Sequence, residues 1–134
     1  MTSNPPASEP FPGKRYERLK AWQACHQLVL ATYSLTAKWP SDERYGLTAQ
    51  ARRAAFSAAA NIAEGAAKRG PKEFRRFLDI SIGSLAELSY IFLLAEELKL
   101  PSELLPEAVA SCNQAGRITW GLYREIAKRA ASSS

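Results

Sequence analysis

Apolar residues recur at intervals of three and four along four stretches of this chain, and short breaks separate the stretches. Such spacing places the apolar side chains on one face of an α-helix, whereas a half-buried strand would show strict alternation. The first stretch shows the pattern through Trp22, Cys25, Val29, Thr32, Thr36 and Trp39, with Leu28 and Leu35 beside them. The composition also favours helices, because the chain has 23 alanines and 15 leucines, which are good helix formers, but two valines, which favour strands. The pattern predicts an all-α fold.

Proline and glycine in the breaks set the predicted ends of the helices. Pro40 ends the first helix, and Pro71 suits the first turn of the third. The predicted helices span residues 18–38, 42 or 47–67, 71–99, and 102 or 106 onward. Because breaks of a few residues leave little room for a crossover, we expect an antiparallel up-down-up-down four-helix bundle.

The two ends of the chain differ from this helical body. Residues 1–15 hold four of the eight prolines among small and polar residues, a composition that buries too little to order itself. We therefore predict a flexible proline-rich tail over 1–15, the bundle over 16–130 and a disordered tail over 131–134. The N-terminus lacks an apolar signal core, and the two cysteines lie 87 positions apart. We expect a cytoplasmic protein with reduced thiols.

Helix three is apolar on two sides. One stripe consists of Phe74, Leu78, Ser81, Leu85, Leu88, Phe92 and Ala95, and the other of Phe77, Ile80, Ser84, Ile91, Leu94 and Leu98. A helix that is apolar on two sides is buried on two sides, and a four-helix monomer supplies only one such side. We therefore expect a homo-oligomer whose contact face includes Phe77, Ile80, Ile91 and Leu94.

Residues typical of catalysis or metal binding are scarce. His26 is the single histidine, and we interpret it as a helical histidine that is either partly exposed or satisfied by a hydrogen-bond partner. Di-metal bundles need Glu-x-x-His pairs, which this sequence lacks, and the segment from Gly65 to Gly70 does not have the form of a phosphate-binding loop. We expect no catalytic, cofactor-binding or metal-binding residues. An enzyme with an unrecognised site is the least favoured hypothesis.

Polar residues interrupt the alanine-rich and apolar faces of helices two and three. They are Gln50, Arg53, Asn61, Glu64, Ser84 and Glu87. Because buried polar groups need partners, we interpret them as a hydrogen-bonded network that fixes the register of the helices. A ligand or nucleic-acid site built from the same residues is one alternative, and a solvated face is the other.

Basic residues recur in pairs, and the chain carries a net charge of +5. The candidate nucleic-acid contacts are Arg52, Lys68, Arg69, Lys72, Arg75 and Arg76. In an oligomer these charges multiply, and neighbouring patches can merge into a ring that attracts phosphates with little sequence preference. Ordinary solvated charge is the alternative interpretation.

Three groups of residues carry a resemblance to a known family. They are Tyr45-Gly46-Leu47-Thr48-x-Gln50-x-Arg52-Arg53-Ala54 with Asn61-Ile62-Ala63-Glu64-Gly65, then Phe74-x-x-Phe77-Leu78 with Gly83-Ser84-x-x-Glu87-Leu88, and Trp22-x-x-Cys25 ahead of Trp39-Pro40. Over residues 16–127 the chain resembles the bacterial four-helix-bundle proteins encoded by intervening sequences in large-subunit ribosomal RNA genes, once labelled S23 ribosomal protein. It departs from that family's pattern near Ala58, where a larger apolar residue is common.

The resemblance implies an up-down bundle that assembles as a homopentamer. A similar bundle, the accessory variability protein of diversity-generating retroelements, is basic and pentameric and binds nucleic acid and a reverse transcriptase. We therefore predict a non-enzymatic oligomeric bundle that binds RNA or DNA through basic patches. The alternative is a structural or protein–protein interaction module with no nucleic-acid partner. Its expected partners are other copies of itself, RNA or DNA, or another protein, and not a membrane.

Overall fold

In the computed structural model, residues 12–101 and 103–132 are described, and within these ranges the chain forms helices and no strand. The four α-helices are α1 (Lys20–Thr36), α2 (Leu47–Ala66), α3 (Pro71–Glu97) and α4 (Leu105–Ser132). Two 3₁₀ segments, Pro12–Arg18 and Ser41–Glu43, precede α1 and α2. The predicted all-α class is confirmed, and the helices end within a few residues of their predicted limits.

The predicted tails fall mostly outside the described residues, which exclude 1–11 and 133–134. Where prediction and structure overlap, they differ, since residues 12–15, predicted as tail, belong to the 3₁₀ segment, and residues 131–132, also predicted as tail, complete α4. The ring of Tyr16 meets Trp22 edge to face at a centroid distance of 4.8 Å. This contact packs the 3₁₀ segment against the first turn of α1, which proline content does not reveal.

Side-chain contacts between α2 and α3 show that these helices run antiparallel. Arg53 pairs with Glu87, and further along α2 Ser81 Oγ donates a hydrogen bond to the carbonyl of Ala58 at 2.7 Å. Residue numbers therefore rise along α2 as they fall along α3. Helix α1 packs on α2 and α4, and α3 packs on the same two neighbours, so the four helices close into the predicted bundle.

Small residues on α2 allow α3 to approach it closely. Ala51, Ala54, Ala55 and Ala58 are fully buried, and Phe92 on α3 is the largest of the core side chains that are less than 2% exposed. A Cβ atom at Gly65 would lie 2.7 Å from Cβ of Phe77 and 2.9 Å from Cδ1 of Phe74. Only glycine fits this contact without displacement, so Gly65 sets the spacing where α2 ends and α3 begins.

Helix α3 is, among the described helices, the one long and apolar enough to cross a membrane by length and composition alone. Eight of its residues are buried inside the bundle, namely Leu78, Ser81, Ser84, Leu85, Leu88, Ile91, Phe92 and Ala95. The core of the bundle therefore accounts for part of the apolar character of α3, since 39% of its most apolar 18-residue stretch is buried.

Both cysteines are free thiols inside the core. Burial raises the pKa of Cys25 and of Cys112 from 9.0 to about 11, and a contact between Cys25 Sγ and Thr119 Oγ1 at 3.6 Å partly opposes this for Cys25. Because the thiolate is the reactive form, such a shift lowers its fraction about 100-fold near neutral pH. Because the pKa of each thiol is higher in the folded chain than in the unfolded chain, the unfolded chain loses these protons at lower pH. The free energy of unfolding therefore falls as the pH rises from about 9 to about 11.

We expect both thiols to react with Ellman's reagent at least about 100-fold more slowly in the folded protein than in concentrated guanidinium chloride at the same pH. Absorbance of the released thiolate measures both rates. Equal rates in the two solutions would contradict the burial of these side chains.

Candidate nucleic-acid interface

Five of the six basic candidates meet at the turn between α2 and α3. Lys68 and Arg69 follow the end of α2, and the other three occupy the first two turns of α3. All five side chains are exposed. We call this group the basic corner; it consists of Lys68, Arg69, Lys72, Arg75 and Arg76.

Local geometry concentrates the charge of the basic corner. Gly70 has a φ of 90°, a left-handed backbone that favours glycine, and Pro71 begins α3 directly after it. The ammonium group of Lys68 lies 5.4 Å from the ring centroid of Phe77, which ties it to α3. Glu73 is the one acidic residue among residues 68–76, and its exposed pair with Arg76 at 3.5 Å holds these charges only weakly. The corner therefore keeps a strongly positive potential.

Arg52 does not belong to the basic corner. It precedes Lys68 by 16 positions, which corresponds to about 24 Å along a helix. Its Nε donates a hydrogen bond to Thr36 Oγ1 at 2.9 Å, and its guanidinium lies 4.5 Å from the ring centroid of Tyr33. Arg52 therefore lies toward the other end of α2, apart from the other five candidates, and its contact with nucleic acid stays a prediction.

The residues predicted to form a polar network fall into two groups. In the first, Arg53 Nη2 donates to Gln50 Oε1 at 2.9 Å and also pairs with Glu87 on α3. The exposure of Gln50 and Arg53 contradicts the buried network that we expected. Glu64 is also exposed, so the expectation is wrong for it as well.

The second group centres on Ser57, which the sequence reasoning missed. Ser84 Oγ donates to Ser57 Oγ at 2.8 Å, and Asn61 Nδ2 donates to the same hydroxyl at 3.0 Å. Ser84 is buried and Asn61 half-buried. Ser57 lies four positions before Asn61, and that spacing was the available signal. The contacts of both groups join α2 to α3 at successive turns.

The predicted oligomer face lies only partly on the surface. Ile80 is 49% exposed, and Phe77 and Leu94 are half-buried, but Ile91 is only 4% exposed and packs in the core. Including Ile91 is therefore wrong, because it faces the bundle's own interior. We call the exposed apolar residues of α3 and of its C-terminal cap the α3 apolar surface; they are Ile80, Tyr90, Leu93 and Leu98.

His26 is half-buried, and its ring stacks on Trp22 at a centroid distance of 4.9 Å. Within residues 12–101 and 103–132, no group of three or more histidine, cysteine or acidic residues is arranged to hold a metal ion.

A comparison with protein families matches residues 17–120 to the family described as 23S rRNA-intervening sequence protein. The matched span contains α1, α2, α3 and the first part of α4, together with the basic corner and both polar groups. The comparison with curated proteins finds no match. Since the family match covers well over half of the chain and agrees with the four-helix fold, this chain belongs to the family of 23S rRNA-intervening sequence proteins.

Proposed function

We propose that this protein is a non-enzymatic oligomeric scaffold that binds RNA or DNA through the basic corner. The observation that carries the proposal is the set of five exposed basic residues, accompanied by one acidic residue, on a turn held in place by Gly65 and Gly70. Such a patch binds phosphate backbones by releasing condensed counterions, which gives affinity with little sequence preference. A ribosomal RNA is the first ligand to test, because the description of the family refers to 23S rRNA.

The absence of catalysis is part of the proposal. Both thiols are buried with raised pKa values, so neither is an available nucleophile. Buried unpaired thiols also fit the reducing cytoplasm, where we place the protein.

Self-association is supported by the α3 apolar surface. Three of the nine exposed large hydrophobic residues in the described part of the chain lie on this one helix, and a fourth, Leu98, follows directly after its last residue. Covering them with further copies removes apolar area from water and multiplies the charge of the basic corner within one particle. The resemblance to pentameric bundles sets the proposed number at five copies.

Replacing both Arg75 and Arg76 with glutamine is expected to weaken binding of a labelled RNA hairpin at least about tenfold at low salt. The loss should be similar for every sequence tested, because backbone phosphates carry no sequence information. The slope of log affinity against log salt should become shallower by about 2. Fluorescence anisotropy over a series of salt concentrations measures both quantities.

A matched control removes two positive charges at the other end of the bundle. We choose Lys38→Gln with Lys99→Asn, because Lys99 has a φ of 59° and asparagine tolerates that conformation well. This variant should bind within about twofold of the wild type. Equal losses in the two variants, or no loss in the first, would contradict binding at the basic corner.

A protein-interaction module is the second candidate, and the groove between α3 and α4 favours it. Tyr90, Leu93 and Val109 line this groove, whose volume is about 470 Å³. A nuclease-treated sample that retains one defined protein partner, and that binds no nucleic acid at low salt, would favour this function over the scaffold.

A further inference from the structure

The connection between α1 and α2 encloses a cavity of about 340 Å³ that the basic corner does not use. It lies at the other end of α2, beside Arg52. Its polar lining comes from the end of α1, the 3₁₀ segment and the first turns of α2; the residues are Thr36, Trp39, Ser41, Arg44, Thr48 and Arg52. The volume is at the lower end of the range for small-ligand sites.

The charge of this cavity is positive and uncompensated. Two arginines and three hydroxyl groups line it, and no carboxylate does. Within the described ranges neither Arg44 nor Arg52 forms an ion pair. The neighbouring Glu43 instead accepts a hydrogen bond from the backbone N–H of Leu47 at 3.2 Å, so its carboxylate caps α2. Asp42, the other acidic residue of the 3₁₀ segment, is exposed and does not line the cavity.

Arg52 is held in place for binding. Thr36 Oγ1 donates a hydrogen bond to the carbonyl of Thr32 at 2.8 Å, which leaves a lone pair directed toward Arg52. The same oxygen accepts a hydrogen bond from Arg52 Nε at 2.9 Å. The ring of Tyr33 supports the guanidinium at 4.5 Å. These contacts fix the plane of the guanidinium through Nε, and the terminal nitrogens are the groups that bind phosphate oxygens in pairs.

Trp39 supplies an independent observation. It lines the cavity, is only 6% exposed, and its indole Nε1 is buried with no hydrogen-bond partner in the described part of the chain. Buried donors are almost always paired, because an unpaired one forfeits its hydration. This unpaired donor, on a residue that lines a cationic cavity, leaves one hydrogen bond that an acceptor from outside the chain can accept.

We propose that this cavity binds a phosphoryl group. Arg44 and Arg52 would neutralise its charge, and the hydroxyls of Ser41 and Thr48 would donate hydrogen bonds to its oxygens, since Thr36 already donates its proton to the carbonyl of Thr32. A small movement of Trp39 would bring Nε1 to an oxygen of the same ligand. Thr48 lies in the first turn of α2, where the positive end of the helix dipole adds to the attraction. The phosphoryl group comes either from a small phosphomonoester or from the phosphorylated end of a nucleic acid.

The first experiment titrates the full-length protein with 5′-AMP and, in parallel, with adenosine, by isothermal calorimetry. We expect saturable binding of AMP with one site per chain and no binding of adenosine. Arg44→Gln, which alters an exposed side chain, should weaken AMP binding at least about tenfold, and Arg52→Gln should do the same. Arg117→Gln on α4 removes an equal charge away from the cavity and should leave the affinity unchanged.

Saturable binding that depends on Arg44 and Arg52 but not on Arg117 supports the site. Failure to bind AMP together with no effect of a 5′-phosphate on RNA binding would overturn it, and so would equal losses in all three variants.

The second arm compares one RNA oligomer with a 5′-phosphate or a 5′-hydroxyl. A preference for the phosphorylated end that Arg44→Gln abolishes assigns the ligand to nucleic acid, whereas AMP binding without that preference assigns it to a small molecule. Because the basic corner is intact in these variants, failure here leaves the proposed function standing.

Discussion

Replacing Gly65 with alanine is expected to lower the free energy of unfolding by about 2 kcal/mol, although alanine is the better helix former. The added Cβ would lie 2.7 Å from Cβ of Phe77, an atom that no side-chain rotation can move away. The two helices must separate, and overpacking of this kind costs about 3 kcal/mol, against a gain of about 1 kcal/mol in helix propensity. Denaturant unfolding followed by circular dichroism measures the difference.

Gly121 provides the matched control, because it is an exposed helical glycine with open space around its Cβ position. Gly121→Ala should raise the free energy of unfolding by up to about 1 kcal/mol. Opposite signs for the two variants support the close approach of α2 and α3 at Gly65. A stabilisation by Gly65→Ala would show that the helices do not meet there, and the geometry of the basic corner would then have to be reconsidered.

Replacing Ile80 and Leu93 together with glutamate is expected to convert the assembly into monomers. Both side chains are about half exposed on α3, so the single chain tolerates the change, whereas a subunit interface would have to bury two carboxylates. Light scattering should report about five times the chain mass of 14.7 kDa for the wild type and the single chain mass for the variant. Ile91 is unsuitable for this test because a charge there would disrupt the core.

Lys128→Glu is the control for the assembly, since Lys128 is exposed on α4 and its replacement adds a negative charge away from the α3 apolar surface. The mass of this variant should equal that of the wild type. A wild-type mass of 14.7 kDa at micromolar concentration would contradict self-association, and an unchanged mass for the double variant would place the interface elsewhere.

The fold was accessible from the sequence because helical spacing and the breaks at Pro40 and Gly70 act locally. The rotation of α3 about its own axis, which decides which face turns toward the core, was harder to predict from the sequence. Both of its stripes are apolar, so spacing alone cannot show that Ile91 turns inward while Ile80 of the same stripe remains exposed. That choice depends on how α2 and α4 pack against α3, which is a property of the whole bundle.

Among the candidate sites, too, those formed by neighbouring residues in the sequence were predicted, and those that depend on packing between segments were not. Charge spacing around Gly70 predicted the basic corner, because all five residues lie within nine positions of one turn. The cavity beside Arg52 was not predicted, because its walls combine the end of α1, the irregular α1–α2 connection and the first turns of α2, and helical spacing does not show how these segments fold together. Ser57 was missed for a different reason, namely that a serine in an alanine-rich helix shows no sign of its partner on α3.

The central claim is that the chain binds nucleic acid through backbone phosphates. Fluorescence anisotropy of the wild-type protein with a labelled RNA hairpin, single-stranded RNA and duplex DNA, over a series of salt concentrations, tests it most directly. If the five residues of the basic corner each contact one phosphate, log affinity should fall linearly with log salt with a slope of about −4. Absence of binding to all three ligands at the lowest salt concentration would contradict the claim and leave the protein-interaction module as the better account.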